Sequence, residues 1–95
     1  MPTNEVASQF FHDYARLSEE QREKFKAAVR AFVEDLRARR PFRASLRVKG
    51  VRDQAGVFEM TWDMPNGRAT FRYGASRVPG EQHIIWLRIG GHEIF

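Results

Sequence analysis

The spacing of apolar residues changes period half-way along the chain. Phe10, Tyr14 and Leu17, with Val6 one turn earlier, recur at helical spacing and predict a helix over residues 6–16 with Thr3 or Asn4 as its cap. Ser18-Glu19-Glu20-Gln21 reads as a capping box, with two acids at the positive end of a second helix. Phe25, Ala28, Val29, Phe32, Val33 and Leu36 then form one broad apolar stripe, predicting that helix over 19–39. Arg37, Arg39 and Arg40 suit its negative end, and Pro41 stops it. Helices this close in sequence are expected to pair as an antiparallel hairpin.

Beyond Pro41 the period falls towards two. Ser45–Gly50 reads as an extended segment. Phe58, Met60 and Trp62 alternate with Val57, Glu59 and Thr61; Ala69, Phe71 and Tyr73 alternate with Arg68, Thr70 and Arg72. Pro65-Asn66-Gly67 joins the two runs as a turn. Strands are predicted over 56–63, 67–74 and 82–89, the last apolar on both faces and therefore interior to the sheet. The expected fold class is α+β: an N-terminal helical hairpin packed on one face of a small twisted antiparallel sheet. Phe25, Val29, Phe32, Leu36, Phe58, Met60, Trp62, Phe71 and Trp86 are its expected core.

Composition narrows the function classes. The 95 residues fit one domain, residues 1–95. With no cysteine, a disulfide framework, a thiolate zinc site and a cysteine nucleophile are all excluded. No apolar run approaches the roughly 20 residues of a membrane span, and the N-terminus lacks the features of a signal peptide, so a cytoplasmic protein with no membrane partner is expected. The formal net charge is +4. Between residues 37 and 52 stand seven basic residues (Arg37, Arg39, Arg40, Arg43, Arg47, Lys49, Arg52) and no acidic one. Such a strip is the footprint of a polyanion or acidic partner, or else a solvated surface.

The strand alternation also gathers candidate chemistry. The sheet face opposite the helices is expected to carry Glu59, Thr61, Arg68, Thr70, Arg72 and Arg88. After Arg88-Ile89, Gly90 and Gly91 let the backbone turn sharply, which would bring His92 back towards that face. Guanidinium groups bind phosphate and the charge that develops on it, while an imidazole and a carboxylate can move protons. That set suits cleavage of a phosphodiester with Glu59 taking the proton of a ribose 2′-hydroxyl, a route that needs no metal or cofactor. Equally open are a plain Glu59–Arg68 ion pair, solvated strand arginines at 68 and 72, and a bystander role for His92. His12 and His83 are assigned no role.

At these residues the chain resembles the RelE/ParE superfamily of bacterial toxins from type II toxin–antitoxin systems. "LRVKG" followed by "GVFEMTW" resembles the family's "L-x-G … Y-R-[apolar]-R" stretch. "GRATFRYG" resembles its "Y-R-[apolar]-[apolar]-Y" strand and aligns Arg68 with the arginine that contacts the cleaved phosphate. "RIGGHEIF" is similar to the C-terminal motif of the YafQ-like branch, aligning Arg88 with its arginine, His92 with its catalytic histidine and Phe95 with the terminal aromatic near the substrate base. Arg72 and Thr61 complete the substrate surface. The chain departs from the pattern in carrying Glu59 and Thr61 where RelE has lysines, and in a shorter spacing from His92 to Phe95. Only about five residues precede the first predicted helix, so the family's N-terminal strand is expected to be absent or very short. The resemblance implies a ribosome-dependent mRNA endoribonuclease whose partners are the 30S subunit, mRNA and a cognate antitoxin with an acidic segment. Arg39, Arg40, Arg43, Arg47 and Lys49 are the expected contacts for RNA or that segment. A ParE-like gyrase poison and a degenerate binding module are the competing implications.

Overall fold

The computed structural model describes residues 2–95. Strand β1 (Thr3–Val6) is followed by helices α1 (Ser8–Ala15) and α2 (Glu19–Arg37). A 3-10 turn at Ala44–Leu46 leads to β2 (Lys49–Gly50), β3 (Phe58–Asp63), β4 (Gly67–Gly74) and β5 (His83–Gly90), and a second 3-10 turn spans His92–Ile94. The sheet order is β1-β5-β4-β3-β2.

The α+β arrangement of helices on a small sheet is as expected, and three corrections follow from local physics. The sheet is mixed, not purely antiparallel, because β1 runs parallel to β5 with Thr3 opposite His83 and Val6 opposite Trp86. Val6 therefore lies in a strand, and α1 begins two residues later with Ala7 as its N-cap, in place of Thr3 or Asn4. The segment predicted to be extended from Ser45 opens instead with the 3-10 turn, and only Lys49–Gly50 pairs with β3. Helix α2 starts where the capping box places it: the Ser18 hydroxyl accepts from Gln21 N–H, and the Gln21 side chain accepts from Ser18 N–H.

The core lies between the helices and the inner sheet face. Phe32, Met60, Ala69, Phe71 and Ile89 are almost wholly buried, with Phe25, Trp62 and Trp86 beside them. Val29, Leu36 and Phe58 are half-buried at its margin. Phe32 meets Phe71 edge-on at 5.1 Å and Trp86 at 5.3 Å, and Phe10 joins α1 to Phe25 at 5.8 Å. Strand β5 carries an irregularity: Thr70 faces Arg88 while Phe71 faces Trp86, so Leu87 is an extra residue in the ladder. That bulge moves Arg88 from the Trp86 side of the sheet to the Thr70 side.

Candidate functional site

Strand pairing brings Lys49, Glu59, Thr61, Arg68, Thr70 and Arg72 to the outer sheet face. Glu59 lies opposite Lys49 and Thr70, and Arg68 lies opposite Thr61 and Gly90. Glu59 is therefore a diagonal neighbour of Arg68, and its Oε1 stands 3.9 Å from Arg68 Nε and 3.7 Å from Lys49 Nζ. Both Glu59 and Arg68 keep only 12% of their side-chain surface exposed. Beneath these longer chains Thr61 and Thr70 are buried, at 5% and 4% exposure, so the expected open position of Thr61 is corrected: it floors the patch. Arg72 stays exposed further along β4.

The glycine pair at the end of β5 works by close approach. A Cβ at Gly90 would stand 2.7 Å from Glu93 Oε1 and 2.9 Å from Ile94 Cγ2, so only glycine lets the final turn fold onto the strand end. Glu93 Oε1 accepts the Gly91 N–H at 2.9 Å, and that bond holds its carboxyl below the ordinary range. His92 opens the turn two residues after Gly90, the residue opposite Arg68, and is exposed. Its ring makes no hydrogen bond among the described residues. Phe95 is half-exposed beyond it.

Arg88 is placed otherwise than expected. Its Nε donates to Asp13 Oδ2 at 2.7 Å, and Asp13 also accepts from Ile89 N–H at 3.2 Å and from Gln9 Nε2 at 3.1 Å. Pairing with β1 ends at Trp86, so Asp13 of α1 serves β5 just past the point where a strand neighbour stops. Burial pushes the Asp13 carboxyl up, but the bonds from Arg88, Gln9 and Ile89 outweigh it and hold it below the ordinary value. Arg88 lines a recess of about 400 Å³ with Asp13, Asn66 and Glu93, and the Nε and Nη2 edge of its guanidinium is bonded to the Asp13 carboxylate.

The basic strip divides in the same way. Asp35 is 1% exposed, and Arg40 Nε donates to it at 2.7 Å, Arg43 N–H at 2.9 Å and Arg43 Nε at 3.0 Å. The bonds from Arg43, with a further one from Arg40, hold the Asp35 carboxyl far below its ordinary value. Arg40 and Arg43 thus fasten the chain after α2 to the helix, while their side chains stay 54% and 38% exposed. Arg39 donates to the Gly80 carbonyl at 2.6 Å, Lys49 stands near Glu59, and Arg47 is exposed in a left-handed conformation. Asp13 and Asp35 escaped the sequence reading, although an acid three residues after Phe32 within an apolar stripe is a signal for a buried carboxylate with a cationic partner.

No family model and no curated protein sequence matches the chain. Solved structures do. The Escherichia coli YafQ toxin, in its complex with DinJ, is 14% identical with a TM-score of 0.67, covering 100% of this chain and 98% of YafQ. A YoeB/ParE toxin from Agrobacterium tumefaciens is 19% identical at TM-score 0.67, over 95% of this chain and 98% of that one. A copper-bound mutant toxin from Helicobacter pylori is 13% identical at TM-score 0.64, over 100% and 99%. The fold is that of the RelE/ParE-like toxins. The N-terminal strand, expected to be absent or very short in this chain, is present as β1 and is four residues long. No helix among the described residues is long and apolar enough to cross a membrane.

Proposed function

We propose that the chain is the toxin of a type II toxin–antitoxin system and cleaves mRNA on the ribosome. The observation that carries this reading is the register of β4 on β5, which sets Arg68 opposite Gly90 and so brings the guanidinium to the strand end from which His92 projects. In this reading Arg68 binds the scissile phosphate, and Glu59 takes the proton of the attacking ribose 2′-hydroxyl. The oxygen attacks phosphorus, the bond to the 5′-oxygen breaks, and His92 donates the proton that oxygen needs. The products are a cyclic phosphate and a free 5′-hydroxyl, with no redox change. Thr61 and Arg72 flank the strand, Phe95 lies by the base, and Arg88 acts through Asp13 to position the final turn. An antitoxin with an acidic segment is the proposed partner, a reading supported by the likeness to YafQ in its complex with DinJ. Its contacts include Arg47 and Lys49, both exposed at the β2 edge of the sheet.

Primer extension on a translated message tests it. The His92→Gln protein should bind ribosomes and lose about 10²–10⁴-fold in cleavage rate, the usual worth of one general acid or base. Equal growth arrest by both proteins with an uncut message would overturn the nuclease reading and favour a gyrase poison on the same fold.

A further inference from the structure

Helix α2 ends in a Schellman motif: Arg40 N–H reaches the Asp35 carbonyl at 3.2 Å and Arg39 N–H reaches the Leu36 carbonyl at 3.1 Å. The residue that must turn left-handed there is Arg39, at φ 54°. Glycine adopts that conformation without penalty, whereas a side chain is strained in it, and strain retained at one position points to a use for the side chain that bears it. Arg39 leads into a cleft of about 550 Å³ between the end of α2 and the loop before β5, lined by Arg37, Phe42, Tyr73, Gly80 and Gln82 as well as Arg39, with the carboxylates of Asp35 and Glu81 also on its wall. Its bond to the Gly80 carbonyl fixes one edge of the guanidinium and leaves the other N–H donors to the cleft. Arg37 is exposed, makes no hydrogen bond among the described residues and shares with Arg39 an electrostatic interaction with Glu81, while Tyr73 is 39% exposed.

We propose that this cleft binds one nucleotide of a single-stranded RNA, with Arg39 and Arg37 on its phosphate and Tyr73 beneath its base. The site rests on the nuclease reading only for the choice of RNA as the strand. Guanidinium forks match phosphate geometry, an aromatic face stacks on any base, and the Gln82 amide can donate to and accept from a base edge. A run of carboxylates would use the cations but neither the ring nor the amide, which favours RNA over an acidic peptide. Tyr73 stands an odd number of residues along β4 from Arg68 and packs on Phe58 and Phe71, so it lies on the opposite face of the sheet, and the cleft is a separate hold on RNA, away from the reacting phosphate.

The test measures equilibrium binding, in the His92→Gln background so that no cleavage intervenes. Labelled oligouridylate and oligoadenylate are titrated by fluorescence anisotropy, with labelled polyglutamate as the competing arm. Arg39→Gly and Arg37→Gln should each weaken RNA binding at least tenfold and lower the log–log salt slope by about one unit. Tyr73→Leu should weaken it several-fold with the slope unchanged. Arg39→Gly relieves the backbone strain, so its Tm should hold or rise while binding falls. The Arg37→Gln loss should persist when Arg68→Ala is added, which separates the cleft from the patch around Glu59. Unchanged RNA affinity in Arg37→Gln and Arg39→Gly would overturn the proposal and leave Arg39 as a pin for the loop. Tighter polyglutamate binding, lost in the same variants, would overturn it in favour of an acidic peptide. Neither result depends on whether the protein cuts RNA.

Discussion

Asp13 and Arg88 meet at 2.7 Å across 75 residues of sequence, joining the first helix to the last strand. The carboxylate sits at the start of the segment that carries Gly90, Gly91 and His92, so the pair fixes where that segment leaves the sheet. Asp13→Ala strips both Arg88 and the Ile89 N–H of their acceptor and is expected to cost about 2 kcal/mol, the range for hydrogen bonds to charged groups. Urea denaturation at neutral pH measures it. In cleavage assays Arg88→Ala and Asp13→Ala should lose activity together, and the double variant should lose no more than either one, as for groups acting as a unit. Additive losses would place Arg88 on the substrate instead.

Acid should destabilise the fold chiefly through Asp35 and Asp13. Both carboxyls are held below their ordinary values in the folded chain. A group depressed on folding adds stability that is fully present above its unfolded pKa and disappears as pH falls through the folded one. Tm should therefore be level from neutrality to about pH 5 and decline below about pH 4, the ordinary aspartate range. Asp35→Asn should lower the neutral Tm and flatten the acid limb. An unchanged slope in thermal scans from pH 7 to pH 3 would show that Asp35 is not the group titrating.

The basic strip should split into two phenotypes. Arg43→Gln removes donors from a buried carboxylate and is expected to lower Tm, with a modest effect on RNA or antitoxin binding at a temperature where it is folded. Arg47→Gln touches no such carboxylate and should leave Tm within a degree or two while reducing the salt dependence of binding by about one slope unit. Thermal melts and anisotropy on the two proteins separate them.

Phe32 is the residue on which the two layers close, touching Phe42, Phe71 and Trp86. Phe32→Ala should cost about 3–5 kcal/mol, the range for emptying a packed aromatic site. Phe32→Leu should cost clearly less, because it keeps most of the volume.

Residues with local causes were legible in the sequence. Ser18 and Gln21 satisfy each other within one turn, and Phe58, Met60, Ala69 and Phe71 alternate because a half-buried strand has period two. What escaped has distant causes. Thr3–Val6 is short, polar and largely exposed, and becomes a strand only because residues 83–86 lie beside it. The Leu87 bulge leaves no mark on composition, yet without it Arg88 would not lie on the Thr70 side expected of it. Arg40 and Arg43 read as surface charge because Asp35, the group they serve, looked like one more polar residue on a helix. Within the candidate site, Glu59, Arg68 and the Gly90–Gly91 turn were legible from alternation and glycine placement, whereas the burial of Thr61 followed from side chains on neighbouring strands.

In the sheet order β5 lies between β1 and β4, yet it follows every other strand in the chain. A nascent chain therefore holds Phe10, Phe25, Phe32 and Phe71 without Trp86 to close over them until residues 83–90 are made. Non-local pairings of this kind are the slow and late ones. Arg68 likewise has no Gly90 opposite it before then. The last strand made is thus the one that joins the N-terminal strand to the hairpin of β3 and β4, and the sheet is one continuous surface only once it is in place.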